Sequence, residues 1–200
     1  MQKLMRGLSR FMAVAGGLVL SALIVLTCLS IAGRLLNGAF HSNLMRDIAP
    51  GFSRWMIEHG VGPINGDFEL VEAGVAFAIF AFLPLCQITA GHASVDVLTN
   101  LFSARVNRVL RMLTEMLFAA VLVLIAWKLF DGMMSKKEHG ETSFLLQFPL
   151  WWAYAASLVG AVAAAVVGVY MAGVRISECL TGRIQIWDGI ETGHPMETEQ

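Results

Sequence analysis

Gln87 and Glu115 are polar side chains set well inside apolar sequence, and chemistry inside a bilayer would have to start from them. A carboxylate within a hydrophobic stretch is a candidate for proton or ion handling, because an unpaired charge there is costly. Glu115 follows Arg111 by four residues, so an ion pair near the membrane interface competes with that reading. Gln87 follows Pro84 by about one helical turn and could bond to backbone groups that the proline frees.

Other reactive types are present in patterns that carry no known chemistry. The histidines are His41, His59, His92, His139 and His194, none deep in an apolar stretch, which argues against axial haem ligation. Cys28, Cys86 and Cys179 form no C-x-x-C pair and read as small apolar packing groups. There is no H-E-x-x-H, no G-x-S-x-G and no phosphate-binding glycine loop. The pattern predicts no enzyme activity, no cofactor and no metal. A net charge of −1 gives no sign of nucleic-acid binding.

The elements that must hold these groups are legible in hydropathy. Phe11–Gly33, Ala73–Gly91 and Thr142–Val174 contain no charge, and Met112–Leu129 is broken only by Glu115 and Lys128. A run near 20 apolar residues spans the ~30 Å hydrocarbon core. The chain is 56% hydrophobic and 14% charged, with mean hydropathy +0.66, where a soluble domain carries about 25% charge. The expectation is an all-α membrane protein, four transmembrane helices plus amphipathic surface helices. It forms one domain over residues 1–180, with spans at about 11–33, 70–91, 112–129 and 149–174 and a polar tail at 181–200. The basic lead Lys3, Arg6 and Arg10 precedes a run longer than a signal-peptide core, so the first span is expected to stay uncleaved.

Between the spans the periodicity changes. Phe52, Trp55, Met56 and His59 fall on one helical face, predicting a surface helix over 51–59 with Arg54 and Trp55 available to a partner; incidental spacing in a loop is the alternative. Over 98–111, apolar residues oppose Arg105, Arg108 and Arg111, a basic amphipathic segment suited to anionic headgroups. Residues 128–141 read as a charged loop. Asp67, Glu69 and Glu72 complement the positive end of the second span's dipole. Trp151, Trp152 and Tyr154 suit an interfacial belt. Ser157, Gly160, Ala164 and Gly168 form a small-residue stripe that lets a neighbouring span or another subunit approach closely, and Ala13, Gly17 and Ser21 repeat the pattern in the first span.

Lys and Arg near the spans number eight on one side and six on the other, if the N-terminus is cytoplasmic. That favours cytoplasmic N- and C-termini.

Several motifs occur in order: Ser30-Ile31-Ala32-Gly33-Arg34, then Gly66-Asp67-Phe68-Glu69-Leu70-Val71-Glu72. Gly91-His92-Ala93-Ser94-Val95-Asp96, Gly140-Glu141-Thr142-Ser143 and Phe148-Pro149-Leu150-Trp151-Trp152 follow. Together they resemble the small integral-membrane subunit (DctQ type) of TRAP transporters, the tripartite ATP-independent periplasmic family, over about residues 10–180. The long first connection, 35–65, departs from the common pattern. The resemblance implies a sodium-driven importer of organic anions, carboxylates among them. In it a periplasmic substrate-binding protein delivers the anion and a large multi-span subunit moves it. The small subunit would steady the large one's scaffold and help dock the binding protein, without binding substrate. It places Arg34, Glu69, Glu72, Gly91, His92, Asp96, Gly140 and Glu141 at span ends, as partner contacts or as caps and turns. The reading from another class is a small stand-alone membrane enzyme, electron carrier or channel, with Glu115 and Gln87 lining a path.

Overall fold

The structure, a computed structural model, describes residues 2–42, 45, 50–58, 60, 62–89 and 104–181. Five helices lie within them: α1 Gln2–Phe40, α2 Pro50–Glu58, α3 Asp67–Ile88, α4 Ala104–Glu138 and α5 Trp151–Thr181. All but α2 are long and apolar enough to cross a membrane.

The helices run past the stretches that hydropathy marks. At 39 residues α1 is roughly 58 Å long, about twice the hydrocarbon thickness. Its basic lead is therefore a continuous part of the first helix. Residues 128–138, expected as loop, form the last turns of α4, where Lys128 pairs with Asp131 at 3.3 Å. Lys136 and Lys137 fall in its final turn, where cations suit the negative end of the dipole. Likewise α5 continues past residue 174 to Thr181. The basic segment expected at 98–111 is helical from Ala104 onward as the start of α4; residues 98–103 lie outside the described residues.

Packing follows the order α1, α3, α5, α4. Helix α5 packs along α3 on one side and α4 on the other, α1 packs chiefly along α3, and α2 rests against α1. Burial follows this order. In its most apolar stretch 56% of α5 is buried, against 28% for α3 and 11% for each of α1 and α4. The stripe makes α5 the centre. Ser157, Gly160, Ala164 and Gly168 are all buried. A Cβ on Gly160 would sit 2.9 Å from the Phe80 backbone carbon, and one on Gly168 3.0 Å from Leu122 Cδ1. The stripe is thus occupied within the chain, by α3 and α4.

The equivalent pattern in α1 is not. Nothing lies within 4 Å of a Cβ built on Gly17, and Ser21 is exposed. The face of α1 that packs is one residue out of phase: Met5, Ser9, Met12 and Gly16, with Gly16 against Ala81. Met5, Ile88, Val167 and Met171 form one core cluster, so the start of α1 lies beside the ends of α3 and α5.

Candidate functional site

The motifs at the first span's end and the second span's start meet where α3 begins. Ser30 Oγ donates a hydrogen bond to Asp67 Oδ2, and Arg34 Nη2 lies 3.7 Å from the same oxygen. The other carboxylate oxygen accepts from the Phe68 N–H at 2.8 Å. Asp67 thereby ties α1 to the first turn of α3. Gly33 permits the contact: a Cβ there would fall on the carbonyl of Gly62. Sequence reasoning singled out Arg34 as a span-end residue and gave Asp67 a dipole role, but did not join the two or give Ser30 a contact. The signal was an acid opening a helix in one motif and a hydroxyl one turn before an arginine in the other.

Glu69, in the first turn of α3, reaches the connection between α4 and α5. Its Oε1 accepts from the Leu145 N–H at 2.6 Å and its Oε2 from the Leu146 N–H at 3.0 Å. That connection is a hairpin-like loop. Ser143 N–H donates to Phe148 O at 2.9 Å, Leu150 N–H donates to Glu141 O at 3.0 Å, and Thr142 and Pro149 form an antiparallel bridge. Gly140 starts it. With φ at 62° it ends α4 in a Schellman turn: Glu141 N–H donates to Lys136 O and Gly140 N–H to Lys137 O. Lys136 Nζ closes on Glu141 Oε2 at 2.6 Å. The far side is seated by Leu146, whose Cδ1 is 2.8 Å from where a Gly66 Cβ would be, and Gly66 has φ of 77°. The loop is held in place while its apolar tip faces outward: Phe144 is 91% exposed and Leu145 60%. Glu72 is exposed on the next turn of α3.

At the far end of α3 polar groups pair inside the fold. Gln87 Nε2 donates to Glu115 Oε2 at 2.5 Å, with both residues buried, joining α3 to α4. Glu115, for which the sequence offered Arg111 one turn earlier, thus also reaches across to a second helix. Arg175 and Glu178 form a second buried pair at 2.8 Å, each side chain only 7% exposed. Arg175 directly follows the charge-free run that ends at Val174, and the sequence gives no hint of its burial. Among the described residues no group of three His, Cys, Asp or Glu side chains could hold a metal.

The remaining candidates are dispersed. In α2, Phe52 stacks on Trp55 at 6.4 Å and meets Phe40 of α1 edge-on at 5.9 Å, while Arg54 and Trp55 are exposed. Trp151 faces Trp152 edge-on at 6.1 Å and carries the Lys137 ammonium 5.5 Å from its ring centre. Arg105 and Arg108 are described as backbone only, and Arg111 is half-buried. Gly91, His92 and Asp96 lie outside the described residues.

The structure thus brings Arg34, Glu69, Gly140 and Glu141 to one end of the molecule as anchors of a helix joint and a loop, with Glu72 exposed beside them. No curated protein and no solved structure matches the chain. A family model described as "Tripartite ATP-independent periplasmic transporters, DctQ component" matches residues 23–177, from the middle of α1 to near the end of α5. With most of its length matched and four helices able to cross a membrane, the chain belongs to the DctQ component family, the small membrane subunits of tripartite ATP-independent periplasmic transporters.

Proposed function

We propose that this chain is the accessory subunit of a sodium-driven transporter importing organic anions, carboxylates among them. It steadies the scaffold of the large transport subunit and offers part of the docking surface for the periplasmic binding protein. The observation that carries the reading is the uneven burial of the spans. The most apolar stretches of α1 and α4 are 11% buried, so the outer helices present long apolar faces to whatever surrounds them. The polar groups at the Gln87 end are engaged with one another, which supports a scaffold rather than a conducting path.

In this proposal the termini are cytoplasmic. The hairpin tip and the exposed Arg54 and Trp55 then face the periplasm, where the binding protein docks. Arg105, Arg108 and Arg111 anchor the opposite side to anionic headgroups. Co-purification with a large multi-span subunit, and loss of uptake when this chain is deleted, are the expected results. Transport activity from this chain alone in liposomes would refute the assignment. Docking is tested separately by Arg54→Glu with Trp55→Ala: uptake should fall while the membrane complex still assembles.

A further inference from the structure

Between α3, the far end of α4 and the start of α5, beneath the hairpin, lies a cleft of about 580 Å³. Its deep part is apolar, with Ala76, Phe80 and Leu129. Its hairpin end is polar, with Glu72, Ser143 and Tyr154. From Glu72 to Phe80 is two helical turns, roughly 12 Å, close to the thickness of one hydrocarbon leaflet. A cleft polar at the interface and apolar toward the membrane interior has the amphipathic profile of a phospholipid.

The polar end is selective by charge. It carries the carboxylates of Glu69 and Glu72, and no Lys, Arg or His lines the cleft. Glu69 is committed to the Leu145 and Leu146 amides, whereas Glu72 is exposed. Ser143 is nine-tenths buried and lies near Glu69, yet its Oγ has no hydrogen-bond partner of acceptable geometry in the chain. The Glu69 carboxylate is within its reach, and a headgroup oxygen would give this buried hydroxyl a well-aligned partner. An anionic headgroup would face two like charges, and a quaternary ammonium has no N–H to donate. We propose that this cleft binds a phospholipid whose headgroup ends in a primary ammonium. The ammonium donates to the Glu72 carboxylate, headgroup oxygens reach the Ser143 hydroxyl, and an acyl chain lies along Ala76, Phe80 and Leu129. A second groove of about 660 Å³, between α1, α3 and α5, is lined by apolar groups such as Leu23, Phe77 and Trp152 and contains no charged residue, so it serves as an internal control.

The test is native mass spectrometry of the full chain released from nanodiscs holding equal parts phosphatidylethanolamine and phosphatidylglycerol. The wild-type chain should retain the ammonium lipid about five-fold over the anionic one, the scale of one modest charge pair. Glu72→Gln, at an exposed position that leaves folding intact, should bring the ratio near one. Ala76→Phe should remove the retained lipid by filling the cleft, whereas Ala156→Phe, in the apolar groove, should leave the ratio unchanged. Equal retention of both lipids by the wild-type chain, or an unaltered ratio in Glu72→Gln, would overturn the assignment.

Discussion

At the Asp67 end of α3, carboxylates reach for groups on loops and neighbouring chain ends, whereas at the Gln87 end polar side chains pair within the packed helices. Asp67 and Glu69 accept from the exposed Phe68, Leu145 and Leu146 amides, and Asp67 also from Ser30, buried on α1. Gln87 with Glu115, and Arg175 with Glu178, are buried. The same residue types therefore do different work. Near water an acid costs little to place and is used to fix a backbone, so the strength of any one contact is modest. Inside, each polar group depends on its partner, because losing the partner leaves a desolvated charge or dipole. Damage at the Gln87 end should spread through the bundle, and damage at the Asp67 end should stay local.

The largest effect is expected from Arg175→Met. It removes the guanidinium that pairs with the buried Glu178 carboxylate, and breaking a buried ion pair costs about 3–5 kcal/mol. Thermal unfolding in detergent should show a marked fall in midpoint. The double variant Arg175→Met with Glu178→Leu should recover most of it, since replacing both partners by apolar groups is close to neutral. A double variant as unstable as the single one would break the comparison.

Next comes Gly160→Leu. The side chain has no room beside the Phe80 backbone, and overpacking costs about 1–3 kcal/mol or more. Gly17→Leu is the control: the space there is open, so a change within about 0.5 kcal/mol is expected in the isolated chain. The pair sharpens the family reading as well. If the open face of α1 meets the large subunit, Gly17→Leu should weaken co-purification without shifting the midpoint of the chain alone.

These two glycines also mark how far sequence carries. The four spans and the all-helical class were legible, because a bilayer demands about 20 apolar residues per helix and nothing else in the chain imitates that signal. The small-residue pattern identified α5 as a packing helix, but the same pattern in α1 falls on an open face, with Gly16 taking the contact. Spacing reports that a close approach is possible, and only the fold decides which face receives it. Helix ends were less legible, because hydropathy measures the hydrocarbon layer and α1 and α4 continue beyond it with charged turns. Least legible were pairs between distant residues. Gln87 and Glu115 stood out as polar groups within the spans, but 28 positions apart nothing in the sequence bonds one to the other. The Glu69–hairpin clamp joins residues 76 and 77 apart, although its parts stood in two separate motifs.

Glu115→Leu should have a smaller effect than Arg175→Met, since the bond it breaks joins the carboxylate to a neutral amide rather than to a charge. Losing that buried bond costs about 1–3 kcal/mol, offset in part by the added apolar contact. Glu115→Gln should fall between this variant and the parent, because an amide can still accept from Gln87. If transport in the assembled complex is abolished by Glu115→Gln while the unfolding midpoint is unchanged, the pair has a role in conduction and the scaffold reading fails.

The smallest global effect is expected from Glu69→Gln. The carboxylate presents two acceptors to two backbone N–H groups, while the amide presents one acceptor and one donor. One of the two clamps is therefore lost and its N–H faces another donor. The hairpin is also held by its own backbone bonds, by the Gly140 turn and by Leu146 on Gly66, so it should loosen without unfolding. Limited chymotrypsin digestion should cleave faster at Phe144 and Leu145, which are already exposed, with the unfolding midpoint almost unmoved. If the clamp works only through the loop, Glu69→Gln should weaken docking of the binding protein in the assembled complex while leaving association with the large subunit intact. A fall in midpoint matching that of Arg175→Met would mean that the two ends are energetically alike, and the distinction between a loop clamp and a buried pair would collapse.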